Sequence, residues 1–277
     1  MEVKLHDSVA EFRVIAEPLY RRDPIGRTIE LTLLASGEFP SDSLLLTVWD
    51  GGTAVGAALQ TPPYPLACNG IPHDAINAVA TTLVAVRPDL ASARGDRGSA
   101  VAFADAWQAI TGRQPLLSAE ERLYRLGMLK PPVSVVGSAR AAGDDDRGLL
   151  IDWVNRFFED AFGQANDRAE QFVDGADRAG HRFVVWEVDG TPVSMAMLRV
   201  PASGVSRIGP VFTSRDARGR GYGSAVTAAA VQLAHRSGTP DVVLFADLAN
   251  PTSNGIYQQI GFEPVSDSVR IDFATSD

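Results

Sequence analysis

The segment Arg218-Gly219-Arg220-Gly221-Tyr222-Gly223-Ser224 concentrates what is needed to hold an anion: glycines, two arginines and, directly after them, a helical stretch. A glycine-rich turn that opens a helix aims free backbone N–H groups and the positive end of the helix dipole at one point, which suits a pyrophosphate. The glycines permit close approach. A nucleotide P-loop would need a Gly-Lys-Ser/Thr ending that is absent here, and a dinucleotide fingerprint would want a βαβ context with an acidic residue about 20 positions on. Taken alone, the segment also reads as a tight turn. Further along, Asn250-Pro251 opens a short helix carrying Asn254 and Tyr257 and ending at Gly261-Phe262. Asn250 reads as an N-cap ahead of Pro251, and Tyr257 is either a packed ring or a phenol that stays protonated at neutral pH.

Other chemistries find little support. Cys68 is the single cysteine, which excludes an internal disulfide and a cysteine-rich zinc site. His6, His73, His181 and His235 form no ligand-spaced pair, so no metal is expected. Over 277 residues, 25 basic against 34 acidic side chains give a net charge of −9 and a pI near 5.0. That balance argues against a nucleic-acid partner. Met1 to Asp7 has no apolar signal core, and the blandest stretch, Ala225 to Ala234, is shorter than the roughly 20 apolar residues of a membrane span. The expectation is a cytoplasmic chain without a membrane partner.

The elements that must position these residues lie mostly in the second half. Lys130-Pro131-Pro132 through Asp144-Asp145-Asp146 reads as a linker, which places domains at 1–130 and 147–277 around a connection at 131–146. After it, Leu150, Trp153, Val154, Phe157 and Phe158 recur at helical spacing. Phe183 to Val188, the turn Asp189-Gly190 and Val193 to Val200 form a hairpin, and a third strand near Ser206 to Thr213 runs into the glycine segment. A helix over Ser224 to Arg236, a strand over Val242 to Phe245, the Asn250 helix and a closing strand over Val269 to Phe273 complete the half. The fold class is α/β, or mixed α+β: a mixed, mostly antiparallel sheet flanked by helices.

The first half repeats landmarks of the second. Val48-Trp49-Asp50-Gly51-Gly52-Thr53-Ala54-Val55 parallels Val185 to Val193 as a hairpin, and Ala93 to Val101 parallels Ala217 to Val226. Both halves then run into helices ending at Gly112 and Gly238. In the first half Arg97 interrupts the glycine spacing, and Gly112 leads almost directly to a strand-like Arg122 to Met128 without an Asn…Tyr…Gly-Phe segment.

Arg218-x-x-Gly221-x-Gly223, the strand ending Phe245-Ala246-Asp247, and Asn250 through Tyr257 to Gly261-Phe262 together resemble the GNAT (GCN5-related) acyltransferase superfamily over roughly residues 147–277. The resemblance implies two tandem GNAT-like domains, the first degenerate. It implies a gap between the fourth and fifth strands of the second for the pantetheine arm of acyl-CoA, with acetyl-CoA, or another acyl-CoA, the expected co-substrate. It implies direct transfer of the acyl group to a primary amine of a small molecule or peptide through a tetrahedral intermediate. Tyr257 occupies the family's general-acid position. Val211, Phe212 and Thr213 would offer backbone groups to pantetheine and the carbonyl oxygen. Arg218, Gly219, Arg220, Gly221, Tyr222, Gly223 and Ser224 would hold the phosphates, and Asn250 and Asn254 would bond the cofactor.

An amine must lose a proton before it attacks, yet the strand Ser206 to Phe212 carries no carboxylate. Asp247, Glu187 or ordered water are the candidates for the base. The first half keeps a structural or substrate-enclosing role, and the chain is expected as a monomer or homodimer. A different class fits the same residues: a non-catalytic CoA-binding regulatory or interaction protein.

Overall fold

The computed structural model describes residues 1–37, 39–163 and 167–274. It divides into two compact units: Met1–Leu123 with Asp247–Ala249 and Ser266–Asp277, and Tyr124–Ala246 with Asn250–Val265.

The elements of the sequence's first half are β1 (Glu2–Leu5), α1 (Val9–Tyr20), α2 (Thr28–Ser36), β2 (Leu44–Asp50), β3 (Thr53–Gln60), β4 (Leu66–Ala67), α3 (Ile76–Val86), β5 (Ser92–Asp96), α4 (Arg97–Thr111) and β6 (Pro115–Leu126). β2 and β3 form the expected hairpin, β3 pairs antiparallel with β4, and β4 runs parallel to β5. Leu44, Leu46 and Val48 alternate along β2 and face the same core as Val79 and Leu83 of α3 and Phe103 and Trp107 of α4. That period of two is what a strand requires to bury one face.

The second half contributes β7 (Ser138–Ala141), α5 (Arg147–Phe162), α6 (Ala169–Arg178), β8 (Arg182–Val188), β9 (Thr191–Leu198), β10 (Val205–Thr213), α7 (Tyr222–Arg236), β11 (Asp241–Asp247), α8 (Pro251–Gln259) and β12 (Phe262–Phe273). Strands β7 to β10 are successive antiparallel neighbours, and β10 is parallel to β11. Alternation decides the layers. Phe183, Met195, Met197 and Phe212 pack with Trp153 and Val154 of α5 and Val173 of α6, whereas Val184, Ala196, Leu198 and Ile208 pack with Val226, Ala230 and Val231 of α7. The sheet of this unit is therefore covered on both faces.

Three expectations need correction. The segment expected to be a bare linker, 131–146, contains β7, whose Ser138–Ala141 pair with Glu187–Val184 of β8. Arg140 fixes it there by donating to Glu187 and Asp146. The closing strand is longer than expected, and its Ser268–Asp272 pair antiparallel with Asp96–Ser92 of β5, so it completes the first unit's sheet. The second pair of repeat landmarks also aligns differently. By topology α3, between β4 and β5, is the counterpart of α7, between β10 and β11; Ala93 to Val101 spans β5 and the start of α4, and so corresponds to the β11–α8 region.

Candidate active site in the second unit

The parting of β10 from β11 sets the geometry. Their parallel pairing covers Val205–Ile208 against Asp241–Leu244 and ends there. Gly209, at φ +149°, and Pro210, which has no N–H to donate, lie in a bulge that shifts register between Ile208 and Val211. Past the bulge Val211, Phe212 and Thr213 stay in register with Ala196, Met195 and Ser194 of β9. Ser194 Oγ donates to Phe212 O at 2.8 Å and contacts Thr213 Oγ1 at 2.8 Å, which holds this edge while its other side faces away from β9.

The chain then turns through Gly219 and Gly221, both left-handed at φ +78° and +80°, into α7. No side chain caps α7 and no acid lies in its first turn. Its leading N–H groups and dipole are therefore available to an anion. Tyr222 and Ser224 are buried, so they offer backbone rather than side chains to a ligand at this end. A Cβ on Gly223 would meet Thr213 Oγ1 at 3.4 Å, and one on Gly221 would meet Val135 Cγ2 at 3.2 Å.

The two arginines differ. Arg220 is exposed and has no side-chain partner among the described residues. Arg218 folds back: its Nε donates to Thr213 O at 3.1 Å, its guanidinium lies 5.7 Å from the Phe212 ring centroid, and it pairs with Asp160 of α5. Arg215 donates to the same carboxylate at 2.9 Å. Arg218, then Arg215, hold the Asp160 carboxyl below the usual carboxylate range.

On α8, Asn250 Oδ1 accepts from Ser253 N–H at 3.0 Å, so the N-cap reading is correct. Asn254 is engaged internally, donating to Asn250 O at 2.8 Å and accepting from the Tyr124 hydroxyl at 2.7 Å. Tyr257 is buried among Tyr124 and Phe262, and burial pushes its phenol up to about 12. It stays protonated at any physiological pH. The two candidate carboxylates are occupied: Glu187 accepts from Arg140 at 2.7 Å, and Asp247 accepts the Ala249 N–H at 2.8 Å in the turn after β11.

In the first unit the matching gap is closed. Beyond the β4–β5 pairing, Cys68 N–H donates to Arg94 O at 2.9 Å, Cys68 Sγ contacts the same oxygen at 3.2 Å, and Asn69 Oδ1 accepts from Asp96 N–H. The loop before α3 lies on β3, with Ala57 N–H donating to Gly70 O at 3.0 Å. It carries Pro72 and Asp74 where the second unit has glycines and arginines. Among the described residues no group of three or more His, Cys, Asp or Glu is placed to hold a metal, and no helix is long and apolar enough to cross a membrane.

Residues 149–262 match the family model described as the acetyltransferase (GNAT) family. The second unit is built on a GNAT-family domain. No curated protein matches the chain in sequence. Among solved structures, a GNAT-family acetyltransferase from Colwellia psychrerythraea matches at a TM-score of 0.65 with 10% identity, covering 99% of this chain and 100% of that one. A tandem GNAT protein from the clavulanic acid biosynthesis pathway matches at 0.61 with 13% identity, covering all of both chains. A GCN5-related N-acetyltransferase from Kribbella flavida matches at 0.61 with 17% identity over 91% of this chain and 96% of that one. At such identities the likeness is one of fold, and the fold is that of tandem GNAT-like units.

Proposed function

We propose that the chain is an acyl-CoA-dependent N-acyltransferase with one working site, in the second unit, that transfers an acetyl group to a primary amine of a small molecule or peptide. The observation that carries this reading is the parting of β10 from β11 beside an uncapped α7, with a protonated Tyr257 on the helix that follows. The amine nitrogen attacks the thioester carbonyl carbon, and negative charge builds on the carbonyl oxygen, where backbone N–H groups of Val211 to Thr213 stabilise it. As the C–S bond breaks, the thiolate takes its proton from Tyr257, and the amine's proton leaves to water or to the carboxylate of Glu187 or Asp247. Gly219, Gly221, Gly223 and Arg220 hold the pyrophosphate through amides and charge, and Asn250 keeps its amide NH₂ for the pantetheine arm. The first unit binds no CoA, because Cys68 and Asn69 tie β4 to β5 where an arm would pass. Release of free thiol from acetyl-CoA, dependent on an added amine, tests the reading. Tight CoA binding without any such release would mark a non-catalytic CoA-binding protein instead.

A further inference from the structure

We propose that Tyr124, near the end of β6, is a positioning residue that sets α8, and with it Tyr257, for proton delivery; this rests on the acyltransferase reading. Tyr124 is fully buried. Its hydroxyl donates to Asn254 Oδ1 at 2.7 Å and accepts from Gln258 Nε2 at 3.3 Å. Asn254 and Gln258 are four residues apart on α8 and so share one face, one turn above the other. A single buried hydroxyl thus joins two successive turns, and Tyr257 lies between them in sequence. The rings of Tyr124 and Tyr257 are 6.5 Å apart at 55°, so the residue that ties the helix also packs against the acid.

The helix needs such a tie. α8 has nine residues, too few to be stable in isolation, so its orientation depends on what it packs against. Asn250 and Pro251 fix its start, and Tyr124 fixes its rotation through Asn254 and Gln258. Tyr257 must place its hydroxyl at the departing sulfur, and a displacement of about 1 Å in such a group costs on the order of 10²-fold in rate. Tyr124 itself touches no reacting atom.

The test is a double-mutant cycle in the full-length chain. Tyr124→Phe is expected to lower kcat by roughly 10- to 10²-fold and leave the CoA Kd from calorimetry within about twofold. Placed on Tyr257→Phe it is expected to add no further loss, because the group it positions is gone. Gln258→Leu, at an exposed position where folding is not at risk, is expected to give a smaller loss in the same direction. Backbone amide exchange in the unloaded chain is expected to speed up across α8 and not across α7. If wild-type chain turns over acetyl-CoA but Tyr124→Phe leaves kcat unchanged, or multiplies the Tyr257→Phe loss, Tyr124 is a packing residue and the acyltransferase reading stands. If wild type binds CoA and never turns it over, the acyltransferase reading fails; unchanged exchange in α8 then overturns the positioning role as well.

Discussion

Arg218 turns back from the glycine loop to pair with Asp160 of α5, and its Nε donates to Thr213 O at 3.1 Å. The arginine that the sequence offers to a phosphate is therefore shared with a carboxylate that also holds Arg215. Removing that competitor by Asp160→Asn is expected to tighten CoA binding several-fold at low salt, an effect that fades as salt rises. Arg220→Ala is expected to weaken binding more than Arg218→Ala, since Arg220 has no side-chain partner among the described residues to give up. The Asp160 carboxyl is depressed, so its ion pairs stabilise the fold above the ordinary carboxylate range and are lost as pH falls through it. Calorimetry across salt concentration and thermal melts across acidic pH check both points.

Gly221→Val places a β-branched side chain at φ +80° and sets its Cβ 3.2 Å from Val135 Cγ2. The conformation alone costs about 1–2 kcal/mol for a residue with a Cβ. The variant is expected to fold, to melt a few degrees lower, and to lose CoA binding because the amides of the first α7 turn are displaced. Wild-type CoA affinity in a folded Gly221→Val chain would remove this loop from the site.

For Tyr257 the pH dependence has a defined sign. Burial raises its phenol from 10.0 to about 12, so the acid form persists in the folded chain. Its stabilising effect is complete below about pH 10 and is lost as pH rises toward 12. Tyr257→Phe is expected to lower kcat by about 10²-fold with little change in acyl-CoA KM, and to flatten the alkaline loss of stability. A kcat unaltered in Tyr257→Phe, with the chemical step rate-limiting, would return the residue to packing.

Much of the second unit was readable in the sequence because its signals are local. Glycines before a helix, Asn-Pro at a helix start and the alternation of Phe183-Val184-Val185 each act within a few residues, and the bounds of β10, α7 and α8 follow from them. What escaped is set by pairing across long separations. Nothing near Val269 says that β12 pairs with Ser92–Asp96, and nothing near Asp160 says that it holds Arg218. The repeat was real, but short glycine stretches misaligned it. Ala93-Arg94-Gly95 resembles Ala217-Arg218-Gly219 in letters, while strand order makes Cys68 to Ala75 the true counterpart. Asn254 shows the same limit: its helical position was legible, but its Tyr124 partner was not.

Two α8 asparagines separate capping from burial. Asn250→Ala removes the bond to Ser253 N–H and is expected to cost about 1 kcal/mol. Asn254→Ala strips the acceptor from the buried Tyr124 hydroxyl and is expected to cost more, about 1–3 kcal/mol. Denaturant melts of both variants rank them, and the reverse order would mean that the Tyr124 bond contributes little.

A single working site, in the second unit, is tested most directly by steady thiol release from acetyl-CoA across a panel of primary amines, with CoA stoichiometry titrated on the same full-length preparation. One CoA per chain and release that needs an amine are expected, both lost in Gly221→Val and both retained in Asn69→Ala of the first unit. Two CoA per chain, or a chain that binds CoA and releases thiol with none of the amines, would contradict it.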